Sequence, residues 1–182
     1  MALCGIDEAG RGPLAGPLVM AGVILHNTIA GLNDSKKLSE TKREMLFDLI
    51  IKSSLHKIVR FSADEIDTHG LSACLKKGLE IILDTLDADD YLFDGNSKFG
   101  VSGLRTLVKA DALIPEVSAA SILAKVTRDR EMVQLDALYP HYKFAEHKGY
   151  GTASHVQAIR EYGYCDIHRK SFKLKALQPA LF

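Results

Sequence analysis

A chain of 182 residues with 47% hydrophobic content can bury one sizeable core, so residues 1–182 are expected to form a single domain. A formal net charge of zero taken alone lowers the expectation of a nucleic-acid partner, and the absence of a transmembrane run or a secretory pattern makes a cytoplasmic protein with no membrane partner the expectation. Cys4, Cys74 and Cys165 are scattered without C-x-x-C spacing, which argues against a disulfide framework and a cysteine-based zinc site.

Ala2 to Asp7 and Leu18 to Leu25 are short apolar runs bounded by Gly and Pro, which predicts two strands joined as a hairpin by a glycine-rich loop. At that junction Gly5-Ile6-Asp7-Glu8-Ala9-Gly10-Arg11-Gly12-Pro13 sets two adjacent carboxylates and an arginine among glycines. Hard oxygen ligands suit Mg²⁺ or Mn²⁺, and Gly10 and Gly12 let backbone amides approach a sugar-phosphate chain without a Cβ in the way. Neighbouring side chains of a regular strand point to opposite faces, so Asp7 and Glu8 both reach one ion only where the strand ends, bulges or lends a carbonyl. The plain alternative is a solvated carboxylate pair before a Gly-Pro turn.

Ser39 is a good N-cap for a helix running from Thr41 to Ser53, with Met45, Leu46, Leu49 and Ile50 as its apolar stripe. Lys57 to Phe61 reads as a strand. A short helix starts at Ser62 or Ala63 with acidic residues in its first turn, and a longer amphipathic one covers Leu71 to Leu86. Tyr91-Leu92-Phe93 reads as a buried strand, which puts Asp94, just before Gly95-Asn96, where a strand end presents a carboxylate into a crevice. Thr106 to Val108 is a further short strand leading to Asp111. Glu116 to Leu138 is a long helix by composition and periodicity, and Thr152 to Tyr162 is another. No internal repeat or long structureless linker interrupts this order, which suits one mixed α/β domain.

The charge is segregated along the chain. Glu80, Asp84, Asp87, Asp89, Asp90 and Asp94 lie in a stretch without Lys or Arg, whereas Lys143, Lys148, Arg160, Arg169, Lys170, Lys173 and Lys175 dominate the C-terminal region. A basic C-terminal surface beside a carboxylate site is how a metal nuclease holds a polyanion; a solvated mixed-charge surface is the alternative. His141, His147, His155 and His168 lack a compact ligand pattern, so they read as structural or phosphate-facing rather than as a zinc site.

The run Lys109 to Asp129, KADALIPEVSAASILAKVTRD, closely resembles a signature of the prokaryotic ribonuclease HII family. Asp7-Glu8-Ala9-Gly10-Arg11-Gly12, Asp34-Ser35-Lys36-Lys37-Leu38, Asp94-Gly95, His147-Lys148-Gly149-Tyr150-Gly151-Thr152 and His168-Arg169-Lys170-Ser171-Phe172 follow in that family's order, so the resemblance covers nearly the whole chain. It implies a ribonuclease H-like α/β fold, a five-stranded mixed sheet flanked by helices with a C-terminal helical region. It also implies catalytic, metal-holding carboxylates at Asp7, Glu8, Asp94 and Asp111, serving two divalent ions, Mg²⁺ or Mn²⁺. Four converging carboxylates repel strongly unless cations neutralise them.

The implied reaction is endonucleolytic hydrolysis of the RNA strand of RNA/DNA hybrids, including 5′-side incision at ribonucleotides embedded in duplex DNA, leaving 5′-phosphate and 3′-hydroxyl ends. Gly10, Arg11 and Gly12 are implied to recognise the ribose 2′-hydroxyl, and Tyr150 the sugar at the RNA-to-DNA junction. Lys36, Lys37, Lys125 and Arg128 are phosphate-contact candidates that could equally be solvated. Gln178-Pro179-Ala180-Leu181-Phe182 resembles peptides that dock on the bacterial sliding clamp, with Pro179 where a leucine is commonest; packing of Leu181 and Phe182 onto the domain is the alternative.

Overall fold

Alternation in the second strand decides how the molecule is layered. In the computed structural model, which describes residues 1–33 and 35–173 with the Lys36 side chain also left out, β1 (Leu3–Ala9) pairs antiparallel with β2 (Leu18–Leu25). Leu18, Met20 and Ile24 of β2 join one core, and Val19, Ala21 and Val23 join another on the opposite face. Both faces are therefore covered, and β2 is nearly all buried.

The sheet has the order β3-β2-β1-β4-β5, with β3 (Ser54–Phe61) antiparallel to β2, and β4 (Asp90–Asp94) and β5 (Arg105–Leu107) running parallel to β1. The five-stranded mixed sheet expected from the resemblance is thus present, and the first two strands form the expected hairpin. Helix α1 (Glu40–Ser53) is capped by Ser39, whose hydroxyl accepts the Lys42 amide. Helix α2 (Ala63–His69) begins with a reciprocal capping box between Ser62 and Glu65, the acidic first turn that the sequence advertised.

Helices α2 and α3 (Leu71–Thr85) cover the first face with Ile66, Cys74, Leu75, Leu79 and Ile82. The second face is covered by α1 and by α4 (Pro115–Leu138), with Pro115 at a first-turn position that needs no N–H. The α4 segment Val117–Ala124 is buried all round, and its Ser and Ala side chains allow close approach to the sheet. Gly5 completes that fit, since a Cβ there would stand 2.3 Å from the Glu116 carbonyl carbon and the Val117 nitrogen. The C-terminal helices α5 (Phe144–His147) and α6 (Ala153–Tyr162) build a third apolar cluster, in which Tyr142, Phe144 and Ile159 meet Leu14, Ala15 and Met132.

Candidate active site

Two neighbouring parallel strands and the turn before α4 bring three carboxylates to one place. Asp7 comes from β1, Asp94 ends β4, and Asp111 lies on a single 3₁₀ turn, Ala110–Ala112. One oxygen from each lies within 4.8 Å of the others, and among the described residues this is the group of His, Cys, Asp and Glu side chains able to hold a metal ion. The turn is fixed by Asp94 itself, which accepts the amides of Lys109 at 2.9 Å and Asp111 at 3.3 Å. Lys109 enters that turn in the left-handed region at φ 61°.

Asp7 faces α4 and is buried. Its Oδ1 accepts the Glu8 amide at 2.7 Å, and the Ser121 hydroxyl bonds to the same carboxyl. Ser121 in turn lies 2.8 Å from the Ser35 hydroxyl. Burial first, and then the charge of Glu8, pushes the Asp7 carboxyl well above the usual carboxylate range; Asp94 adds to the rise, and the bonds from Ser121 and the Glu8 amide oppose it. A divalent cation among these hard oxygens would reverse that repulsion, so the donor set suits Mg²⁺ or Mn²⁺.

Strand β1 stays in regular register through Ala9, without the bulge that would turn two adjacent carboxylates to one ion. Glu8 accordingly stands outside the trio and pairs with Arg11, Nε to Oε1 at 2.5 Å, while lining the same cleft. The Arg11 guanidinium is braced 5.6 Å from the centroids of both Phe93 and Phe99. The cleft, of about 580 Å³, is lined by the four carboxylates and also by Gly10, Arg11, Gly12, Ser35, Ser121, Lys125 and Tyr150. Ser35 and Ser121 were not foreseen as site residues, because nothing in the sequence marks a serine on the small-residue face of α4 as a carboxylate partner or a serine on a distant short turn as its neighbour.

Two basic residues are not where the charge pattern suggested. Arg128 is no phosphate contact: it is buried, donating from Nε to the Pro17 carbonyl at 2.9 Å and from Nη2 to the Ala15 carbonyl at 3.1 Å. Arg169 is likewise not part of a basic surface, since it is buried and donates to the carbonyls of Gly16 at 3.0 Å and Arg11 at 3.2 Å. Burial, and then the nearby charge of Arg128, pushes Arg169 down to about 9. Together these guanidiniums clamp the glycine loop from below. Gly10 lies in that clamp at φ +99°, where a Cβ would meet Arg128 Nε at 2.4 Å and the Pro17 carbonyl at 2.6 Å.

The other lysines divide. Lys125 lines the cleft but pairs with Asp129 at 2.8 Å, and Lys37 is exposed on the turn Ser35–Lys37. The Lys36 side chain and Gln178 to Phe182 lie outside the described residues. Lys143, Arg160, Lys170 and Lys173 are exposed and remain as the basic C-terminal surface. The histidines are structural in their surroundings: His141 stacks on Tyr162 at 4.7 Å, and His147, His155 and His168 form a buried cluster beneath Tyr150. No helix among the described residues is long and apolar enough to cross a membrane.

The family model described as Ribonuclease HII matches residues 4–175. The chain is 59% identical over 181 residues to a ribonuclease HII of Sulfurovum sp., covering 99% of this chain and 96% of that one. It is 61% identical over 183 residues to a ribonuclease HII of Campylobacter hominis, covering 100% and 99%. Among solved structures, the ribonuclease HII in a complex with PCNA from Archaeoglobus fulgidus superposes with a TM-score of 0.84 at 28% identity, covering 100% of this chain and 98% of that chain. The ribonuclease H2 of Pyrococcus horikoshii gives 0.78 at 29% identity, covering 95% and 94%.

Proposed function

This chain belongs to the ribonuclease HII family, and we propose on that basis how its own residues carry out the reaction. The activity is that of a metal-dependent type 2 ribonuclease H, an endonuclease acting on the RNA strand of RNA/DNA hybrids and at ribonucleotides embedded in duplex DNA. Residues 1–182 act as one catalytic unit in the cytoplasm, with Mg²⁺ or Mn²⁺ as the cation.

The reading is carried by the meeting of Asp7, Asp94 and Asp111 oxygens within 4.8 Å at the floor of a cleft. These three hold the cations, and Glu8 in the cleft wall is the fourth catalytic carboxylate. Divalent cations held by these carboxylates would supply the charge that activates water, neutralises the phosphate and stabilises the departing oxygen. Departure of the 3′ oxygen on the 5′ side of a ribonucleotide leaves 3′-hydroxyl and 5′-phosphate ends.

Gly10, Arg11 and Gly12 read the ribose 2′-hydroxyl, and Tyr150 reads the sugar at the junction. Support comes from their common cleft and from the buried clamp beneath the loop, which presents backbone groups already in place. Lys125, Lys37 and Lys36 serve the phosphates; Arg128 is withdrawn from that role. The C-terminal Gln178 to Phe182 is assigned to a sliding clamp, a reading supported by the archaeal relative solved with PCNA.

Asp94→Asn tests the metal reading. Turnover should fall at least about a thousandfold, since a charged group acting on the transition state is removed, while hybrid binding stays within about threefold. Near-normal turnover by the folded variant would contradict the assignment.

A further inference from the structure

Tyr150 sits between Gly149 and Gly151, so its own backbone does little to fix where the ring stands. Its placement comes instead from hydrogen bonds around it, the first being its own amide's, donated to the His147 carbonyl at 2.9 Å. Gly149, at φ +84°, accepts the Leu14 amide at 2.8 Å through its carbonyl, and the Tyr150 carbonyl accepts the Thr152 amide at 2.8 Å and His155 Nδ1 at 2.9 Å. The ring rests 5.6 Å from the Arg128 guanidinium and is 44% exposed at the cleft. His155 itself is fully buried and does not line the cleft.

The hydrogen bonds fix the tautomers around it. A carbonyl only accepts, so His155 Nδ1 carries the proton and its Nε2 is left as an acceptor. His168 Nε2, 3.0 Å away, must then be the donor, which leaves His168 Nδ1 to accept the Cys165 amide at 2.9 Å. His147 closes the set, with Nδ1 accepting the Gly149 amide at 3.2 Å and Nε2 donating to the Tyr142 carbonyl at 2.7 Å. All six ring nitrogens are satisfied with the three rings neutral, and the donor direction runs from His168 through His155 to the Tyr150 carbonyl.

We infer that His155, fixed in its tautomer by His168, is a positioning residue for Tyr150: its Nδ1–H holds the carbonyl between two glycines and so sets the ring against the RNA-to-DNA junction. The inference rests on the reading of Tyr150 given above. A merely space-filling histidine would tolerate either amide isostere equally. The relay does not, because Asn places its nitrogen where Nδ1 was and Gln places its own where Nε2 was.

The test measures kcat/KM on a duplex with one embedded ribonucleotide relative to a continuous RNA/DNA hybrid, alongside thermal unfolding of each variant. His155→Asn should hold that ratio within about twofold and His155→Gln should lower it roughly tenfold, the scale of one lost hydrogen bond. At His168 the pattern inverts, because there the needed donor is Nε2: His168→Gln should hold the ratio and His168→Asn should lower it. Should the variants at one position fail to fold, the pair at the other decides. A ratio that tracks thermal stability in all variants, or moves in none, overturns the inference. Tyr150→Ala separates the two layers: an unchanged ratio overturns the Tyr150 reading and the inference with it, whereas a lowered ratio without the isostere pattern overturns the inference alone.

Discussion

Replacing Arg128 with methionine keeps most of the aliphatic volume and removes the two bonds that hold the glycine loop. Each bond from a charged donor contributes about 1.5–3 kcal/mol. Against that stands the cost of keeping a guanidinium almost wholly out of water, visible in the burial that pulls its pKa below the ordinary value. With the Pro17 and Ala15 carbonyls left unpaired, the net loss for Arg128→Met should be about 3 kcal/mol. At about 2–4 °C per kcal/mol for a domain of this size, the midpoint of thermal unfolding should fall by roughly 10 °C. A phosphate-contacting arginine behaves otherwise, leaving stability alone and reducing the salt dependence of hybrid binding by about one unit of slope. Thermal unfolding and a salt titration of binding therefore decide between the roles. Unchanged stability with a shallower salt slope would refute the buried clamp.

Burial, and then the charge of His155, pushes His168 down to about 4, below the ~6.5 of an unfolded histidine, so its stabilising contribution is present above that unfolded value and is lost as pH falls towards the folded one. Urea unfolding should show about 2 kcal/mol lost between pH 7.5 and pH 5 from this group, and His168→Gln should flatten that slope; a slope unaltered by the substitution would count against it. Gly10→Ala should unfold or lose activity because its Cβ collides with Arg128 and the Pro17 carbonyl, whereas Gly12→Ala, with nothing within 4 Å, should fold normally and weaken cleavage alone. Equal melting temperatures for the two variants would contradict that distinction. Deleting residues 178–182 should abolish clamp binding while hybrid cleavage by the free enzyme stays near normal, and unaltered clamp affinity would remove the docking assignment.

Element order was legible because apolar runs, caps and glycines agree locally: Ser39 and Ser62 each cap the helix predicted to follow them, and the β2 run alternates between two cores. Asp94 and Asp111 were legible through their motifs and through the strand end before Asp94. Arg128 and Arg169 misled because a charge count carries no burial, and their partners are backbone carbonyls more than a hundred residues away. The histidine cluster was hidden for a related reason. His147, His155 and His168 come from α5, α6 and the segment after it, and only the packing of those pieces around Phe144 makes neighbours of them. Glu8 shows the limit of adjacency in sequence, since regular pairing of β1 separates it from the trio that its neighbour Asp7 joins.

Whether the carboxylate cleft uses divalent metal to cut the phosphodiester 5′ of a ribonucleotide is decided by mapping product ends from three duplexes: all-DNA, a continuous RNA/DNA hybrid and DNA with one embedded ribonucleotide. With Mg²⁺ or Mn²⁺ only the two ribose-containing duplexes should be cleaved, with incision on the 5′ side of the single ribonucleotide, 3′-hydroxyl and 5′-phosphate ends, and no cleavage in chelator. Cutting of the all-DNA duplex at a comparable rate, or undiminished cleavage in chelator, would contradict that reading of the cleft.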